Sequence, residues 1–136
     1  MGLTVEENMK LKTDTVKKII MVVDDDPIIR TIICSIIKRS RPGIDLIECE
    51  NGEEAYNKMN EGIDLIFTDN NMPKVSGLEF IRKIKSDEEY LNIPVVMVSV
   101  EDRDEYKFIG KELGVAGWVV KPFQNNQISE YINRFI

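Results

Sequence analysis

Three consecutive carboxylates, Asp24, Asp25 and Asp26, directly follow the apolar run IIMVV of residues 19–23. Like charges crowded together repel, so they either spread into water or hold a cation between them. A further acidic residue, Asp69, ends the apolar stretch IDLIFTD, while Ser99 and Lys121 end PVVMVS and GWVVK. This set suits phosphoryl chemistry. Mg²⁺ is commonly held by one or two carboxylates, several waters and a substrate oxygen, which fits Asp24 and Asp25. Asp26, followed by Pro27, has the residue types of a helix N-cap and first helical position. A carboxylate beside such an ion, here Asp69, is able to act as a nucleophile toward phosphorus. Ser99 offers a hydroxyl to a phosphoryl oxygen, and Lys121 supplies a second positive charge. Singly, each residue has a plainer reading: a solvated acidic turn, a turn-forming Asp, a satisfied hydroxyl, a solvated lysine. Their joint placement at the ends of four apolar runs is what favours a site.

The chain contains no histidine, which removes Ser-His triads, imidazole zinc sites and phosphohistidine chemistry of its own. No glycine-rich turn follows the first apolar run, so the dinucleotide fingerprint and the phosphate-cradling loop are both absent. Eighteen basic and 24 acidic residues give a net charge of −6, which weighs against direct nucleic-acid binding. No apolar run approaches the roughly 20 residues that span a bilayer, so no membrane insertion is expected. The opening MGLTVEENMKLK lacks the features of a secretory signal, and the expected location is the cytoplasm. Cys34 and Cys49, at no metal-like spacing, read as two free thiols.

The elements that must position these residues are legible as an alternation. At 136 residues the chain is expected to form one domain around a single core. Residues 18–23, 44–50, 63–69, 94–100 and 117–121 read as strands. Helices are expected over PIIRTIICSIIKRS with Ile28, Ile29, Ile32, Ile33, Ile36 and Ile37 on one face, over 53–61 with Gly62 as C-cap, over LEFIRKIKSDEEY, over 101–113 ended by Gly114, and over QISEYINRFI. A five-fold βα alternation implies a parallel sheet with helices on both faces, whose ligands bind beyond the carboxyl ends of the strands. The second strand ends on Glu48-Cys49-Glu50 and is expected at the sheet edge, outside the site. Residues 1–16 are expected to be an N-terminal extension, read as a flexible arm, although Thr4 and Glu7 have capping-box spacing and Val5 and Met9 helical spacing.

The motifs VVDDD, DLIFTDNNMPKVSGLE, PVVMVS and GWVVKPF together resemble the receiver domains of two-component response regulators, in particular the single-domain chemotaxis regulators of the CheY type. The resemblance covers about residues 17–136. It implies a flavodoxin-like, CheY-like doubly wound (βα)5 sandwich with a five-stranded parallel sheet of order 2-1-3-4-5. It also implies that Asp69 is the phosphoacceptor, that Asp25, Asp69 and the Asn71 backbone carbonyl bind Mg²⁺ (or Mn²⁺) directly, and that Asp24 does so largely through water. Ser99 and Lys121 would contact the phosphoryl oxygens, and Lys121-Pro122 falls where the family commonly has a cis peptide. Trp118 matches the switch aromatic that swings inward as the Ser99 hydroxyl moves toward the phosphoryl group. Asn71 and Glu101 hold positions that tune phosphoryl lifetime. Val100 departs from the small residue usual there and is expected to narrow access or hinder the aromatic swing. The implied partners are a histidine kinase or histidine phosphotransfer protein as donor, and a protein output partner bound through residues 101–136, with chemotaxis among the compatible outputs. The chain would itself be a monomer or a weak phosphorylation-dependent dimer, a signalling receiver rather than an enzyme.

The rival reading is a haloacid-dehalogenase-type phosphatase, with Asp24 as nucleophile and Asp26 completing a D-x-D motif. Pro27 and Ile28 stand where that motif expects Gly and Thr or Val, no acidic motif follows the lysine, and Asp69 is left without a task.

Overall fold

Short β-branched runs form the strands because their side chains suit a surface buried on both sides. The computed structural model describes Gly2, Thr4 and residues 17–136. The capping box through Glu7 and the Val5/Met9 spacing involve residues outside that described set. The order of elements is β1 (Ile19–Val23), α1 (Pro27–Ser40), β2 (Asp45–Cys49), α2 (Gly52–Asn57), β3 (Leu65–Thr68), α3 (Gly77–Lys85), β4 (Val95–Ser99), α4 (Asp104–Glu112), β5 (Gly117–Val120) and α5 (Asn125–Phe135). All pairings are parallel and the sheet order is β2-β1-β3-β4-β5, as the resemblance implies. β2 lies at the edge, where its ending was expected.

The pleat divides the core in two. Met21, Val23, Ile66, Val95 and Met97 pack with Ala55 of α2 and Phe80, Ile81 and Ile84 of α3, and Trp118 leans on the same cluster. The alternate residues Ile20, Val22, Leu65, Phe67, Val96, Val98 and Val119 pack with Ile33, Ile36 and Ile37 of α1 and Ile128 and Ile132 of α5. Successive strand side chains point to opposite faces, so one run of valines and isoleucines serves both layers.

Caps set most helix starts. Asp26 accepts from the Ile28 amide with Pro27 in the first turn, Asn51 accepts from Glu54, and Ser76 accepts from Glu79. Four expectations need correction. α3 ends at Lys85 instead of running on to Tyr90, because the Asp87 carboxylate accepts from the Glu89 amide at 2.9 Å and begins a separate turn. α2 stops at Asn57 rather than 61, and Gly62 is not its cap. The Asn60 side chain accepts from the Gly62 amide at 2.9 Å, and Met59 turns into the core, so a local turn replaces the last helical turn. α4 begins at Asp104 because Arg103 is extended (φ −70°, ψ 136°) and its amide is taken up by the Glu101 carboxylate at 3.1 Å, which leaves 101–103 outside the helix. On α1, Ile28 is 70% and Ile32 42% exposed. One residue corresponds to about 100° of helix rotation, which carries these two beyond the edge of the Ile33/Ile36/Ile37 stripe.

Cys34 and Cys49 are both free and buried, and they belong to opposite layers. Burial is the chief cause that pushes the Cys34 thiol up to about 11 and the Cys49 thiol up to about 12.

Candidate functional site

The ends of β1 and β3 are tied together before any side chain acts. The Asp69 amide donates to the Val23 carbonyl at 2.8 Å, and the Asp24 amide to the Cys49 carbonyl at 3.0 Å. These bonds extend the ladder just past the strands and bring Asp24, Asp25 and Asp69 to one place. One oxygen from each of the three lies within 4.8 Å of the others. Asp24 and Asp69 are buried, at 1% and 7% exposure, while Asp25 faces solvent.

Lys121, following β5, reaches across the sheet end. Its Nζ lies 2.8 Å from Asp24 Oδ2 and 3.4 Å from Asp69 Oδ2. Burial alone would lower the lysine pKa, but the two carboxylates more than offset that and hold it above its ordinary value, so it stays cationic. Asp69 is shifted upward, chiefly because burial penalises its charge, with Asp24 adding repulsion and Lys121 opposing both. Its Oδ1 accepts from the Asn70 amide at 2.7 Å, which fixes the carboxylate's orientation. Asp24 Oδ1 likewise accepts from the Asp26 amide at 2.9 Å. The peptide between Lys121 and Pro122 is cis, as the resemblance implies.

The cluster fits a small hard cation. It offers carboxylate oxygens only, two of its members are fixed by backbone amides, and exposed Asp25 leaves the outer side open to water, which suits the preference of Mg²⁺ for a few protein ligands and several waters. Asn71 is exposed, two residues beyond Asp69.

The remaining expected residues make their own contacts. Ser99 is fully buried, and its Oγ accepts from the Glu101 amide at 3.2 Å. Trp118 sits half-buried on β5, and its Nε1 donates to the Glu101 carbonyl at 2.8 Å. Val100 is 65% exposed and projects outward at the rim. The Glu101 carboxylate is engaged by Arg103, whose fork holds its carboxyl down at about 2.

Several contributors escaped the sequence reading. Arg30 donates to the Asp24 carbonyl at 2.6 Å and lies 3.4 Å from Glu48, fastening α1 to the site. Its place between the isoleucine pairs 28/29 and 32/33 of α1 was the available signal. Asn70 is buried, and its Oδ1 accepts from the Leu78 amide at 3.1 Å. Gly77 did not escape, since with Pro73 it matches the loop that follows the acceptor in the resemblance; its reason is proximity, because a Cβ there would lie 2.1 Å from the Asp69 carbonyl oxygen.

The phosphatase alternative fails on geometry. Its second aspartate, Asp26, caps α1 through the Ile28 amide at 2.9 Å, and Asp69, which it leaves idle, sits inside the charged cluster.

Comparison with known proteins gives one family. The response regulator receiver domain matches residues 20–133. Chemotaxis protein CheY1 of Helicobacter pylori is 34% identical over 114 residues, 82% of this chain and 90% of that protein. A chemotaxis protein CheY homolog of Campylobacter jejuni is 33% identical over 113 residues, 82% of this chain and 86% of that protein. Among solved structures, Vibrio cholerae chemotaxis protein CheY4 superimposes with a TM-score of 0.79 at 29% identity, covering 89% of this chain and all of that one.

Proposed function

The chain belongs to the response regulator receiver family, and from that membership we propose that Asp69 is its phosphoacceptor, with Asp24, Asp25 and the Asn71 carbonyl completing a Mg²⁺ site. Receivers of this family are signalling domains phosphorylated on an aspartate, and they work with histidine kinases and output partners. The single observation that carries the assignment is Lys121 lying between Asp24 and Asp69 at the edge of a three-carboxylate cluster.

In the transfer, an Asp69 oxygen attacks the phosphorus of a phosphohistidine, forming a P–O bond as the P–N bond breaks and the imidazole departs. Bound Mg²⁺ would supply charge neutralisation for the carboxylates and the incoming phosphoryl oxygens. Lys121, held cationic, accompanies the Asp69 oxygen that it already contacts and stabilises negative charge on the transferred group. Ser99, whose hydroxyl now accepts from Glu101, is the group that would turn toward the phosphoryl oxygens. Because the chain has no histidine, the donor is a separate kinase or phosphotransfer protein, or a small acyl phosphate. The output surface lies within residues 101–136, where exposed Phe108 and Ile109 of α4 offer apolar contact area. The likeness to chemotaxis proteins favours an output of that type, exercised in the cytoplasm by a monomer or a weak dimer.

The test is incubation with Mg²⁺ and a small acyl phosphate, followed by intact mass and peptide mapping. One added phosphoryl group on Asp69, absent without Mg²⁺ and absent in Asp69→Asn, is expected. A label on Asp24 instead would overturn the assignment.

A further inference from the structure

Glu101 is held at three points. Its amide donates to Ser99 Oγ at 3.2 Å, its carbonyl accepts from Trp118 Nε1 at 2.8 Å, and its carboxylate receives the Arg103 guanidinium through Nε at 2.9 Å and Nη2 at 2.7 Å. A two-point fork of this kind fixes direction as well as distance. The Glu101 side chain is only 12% exposed, so the fork is sheltered on the carboxylate side. Arg103 is itself braced, with its guanidinium 4.5 Å from the Tyr106 ring centre and 3.7 Å from Glu105.

On the other side of Trp118 lies Gly110 of α4. A Cβ there would come within 2.9 Å of the indole Cζ3 and 3.1 Å of Cε3. A glycine inside a helix is disfavoured relative to alanine, and here it provides the slot in which the six-membered ring rests. The indole is thus seated inward, bonded to the Glu101 carbonyl and slotted against Gly110. In this arrangement the Ser99 hydroxyl accepts from the Glu101 amide.

We propose that Arg103 is a positioning residue for the aromatic: by forking Glu101 it holds the carbonyl that seats Trp118 against Gly110. Its bearing on signalling rests on the receiver reading above, but the seat itself does not.

Trp118 is the sole tryptophan, so its emission and acrylamide quenching report the seat directly in the full chain, without Mg²⁺ or donor. The unphosphorylated wild type is expected to emit as a protected indole. Arg103→Gln and Glu101→Gln should shift emission to the red and raise the quenching constant roughly two- to fivefold, the range open to one partly exposed ion pair. Arg103→Lys, which restores charge without the fork, should fall between, and Gly110→Ala should reproduce the shift with the fork intact. Far-UV circular dichroism keeps unfolding apart from unseating. A wild-type indole as accessible as free tryptophan, or a folded Arg103→Gln with unchanged quenching, overturns the proposal. Intact-mass labelling of the same samples separates the two readings: lack of phosphate on Asp69 would sink the receiver assignment while leaving the seat as measured.

Discussion

Asp69→Asn should make the protein more stable in the absence of Mg²⁺. Three carboxylates share a space within 4.8 Å, and Lys121 sits 2.8 and 3.4 Å from two of them. At an effective dielectric of about 20, each like-charged pair at that spacing costs about 3.5 kcal/mol, and the Lys121–Asp69 attraction returns about 5 kcal/mol. Removing the Asp69 charge lifts two repulsions and loses one attraction. With allowance for screening of exposed Asp25, the net gain is about 1–2 kcal/mol. Relief of the buried carboxylate's desolvation acts in the same direction, and asparagine keeps an oxygen for the Asn70 amide. Urea denaturation in EDTA at neutral pH is the assay. In Mg²⁺ at ten times its dissociation constant, wild type gains about 1.4 kcal/mol by linkage, and the variant should gain less, narrowing the gap. The pH dependence has a definite sign. The raised Asp69 pKa means that the folded state binds this proton more tightly, so its contribution is whole below the ordinary value of 3.8 and is lost as pH rises through the raised one. The advantage of Asp69→Asn therefore shrinks on acidification. A variant less stable than wild type in EDTA, or one stabilised by Mg²⁺ as much as wild type, would refute the reasoning.

Two further outcomes are expected. Lys74 has φ 69°, a left-handed conformation that strains a side-chain-bearing residue; Lys74→Gly should stabilise by about 0.5–1 kcal/mol after glycine's greater unfolded-state entropy is counted, read from the urea midpoint at constant slope. Cys34 and Cys49, pushed up to about 11 and about 12 chiefly by burial, contribute stability that is whole below the ordinary thiol value of 9.0 and is lost as pH climbs toward those values. The urea midpoint should therefore fall between about pH 8 and pH 10.5, less so in Cys34→Ala/Cys49→Ala, and native thiols should resist iodoacetamide until the chain unfolds.

Much of this molecule was legible because its site residues sit at strand ends. A strand is a short apolar run and its last residue is easily found, so Asp24, Asp25, Asp69, Ser99 and Lys121 could be placed at one end of a parallel sheet from order alone. The convergence of Asp24, Asp69 and Lys121 followed from that placement. What escaped was whatever depends on contacts between elements. Arg30 reaches back to the Asp24 carbonyl from the next helix, and Gly110 matters only because Trp118 lies against it. The early end of α2 reflects the Asn60 turn competing with helix. Ile28 and Ile32 carry a helical spacing indistinguishable from that of buried neighbours, and only the width of the surface beneath α1 decides which isoleucines are covered.

The segment between β3 and α3 has the sequence of a loop, yet it is fastened near both of its ends. Asp69 is bonded to Val23, Asn70 accepts from both Gly77 and Leu78, and the Val75 carbonyl accepts from Gly52 of α2. Surface connections ordinarily tolerate inserted residues and are the first places a protease cuts. Here an insertion would have to break bonds to two helices and a strand at once. For anyone grafting an epitope tag or a split-reporter junction into this protein, the stretch from Asn70 to Ser76 is therefore the wrong place to cut, however polar it looks. Mechanically it is a continuation of the sheet.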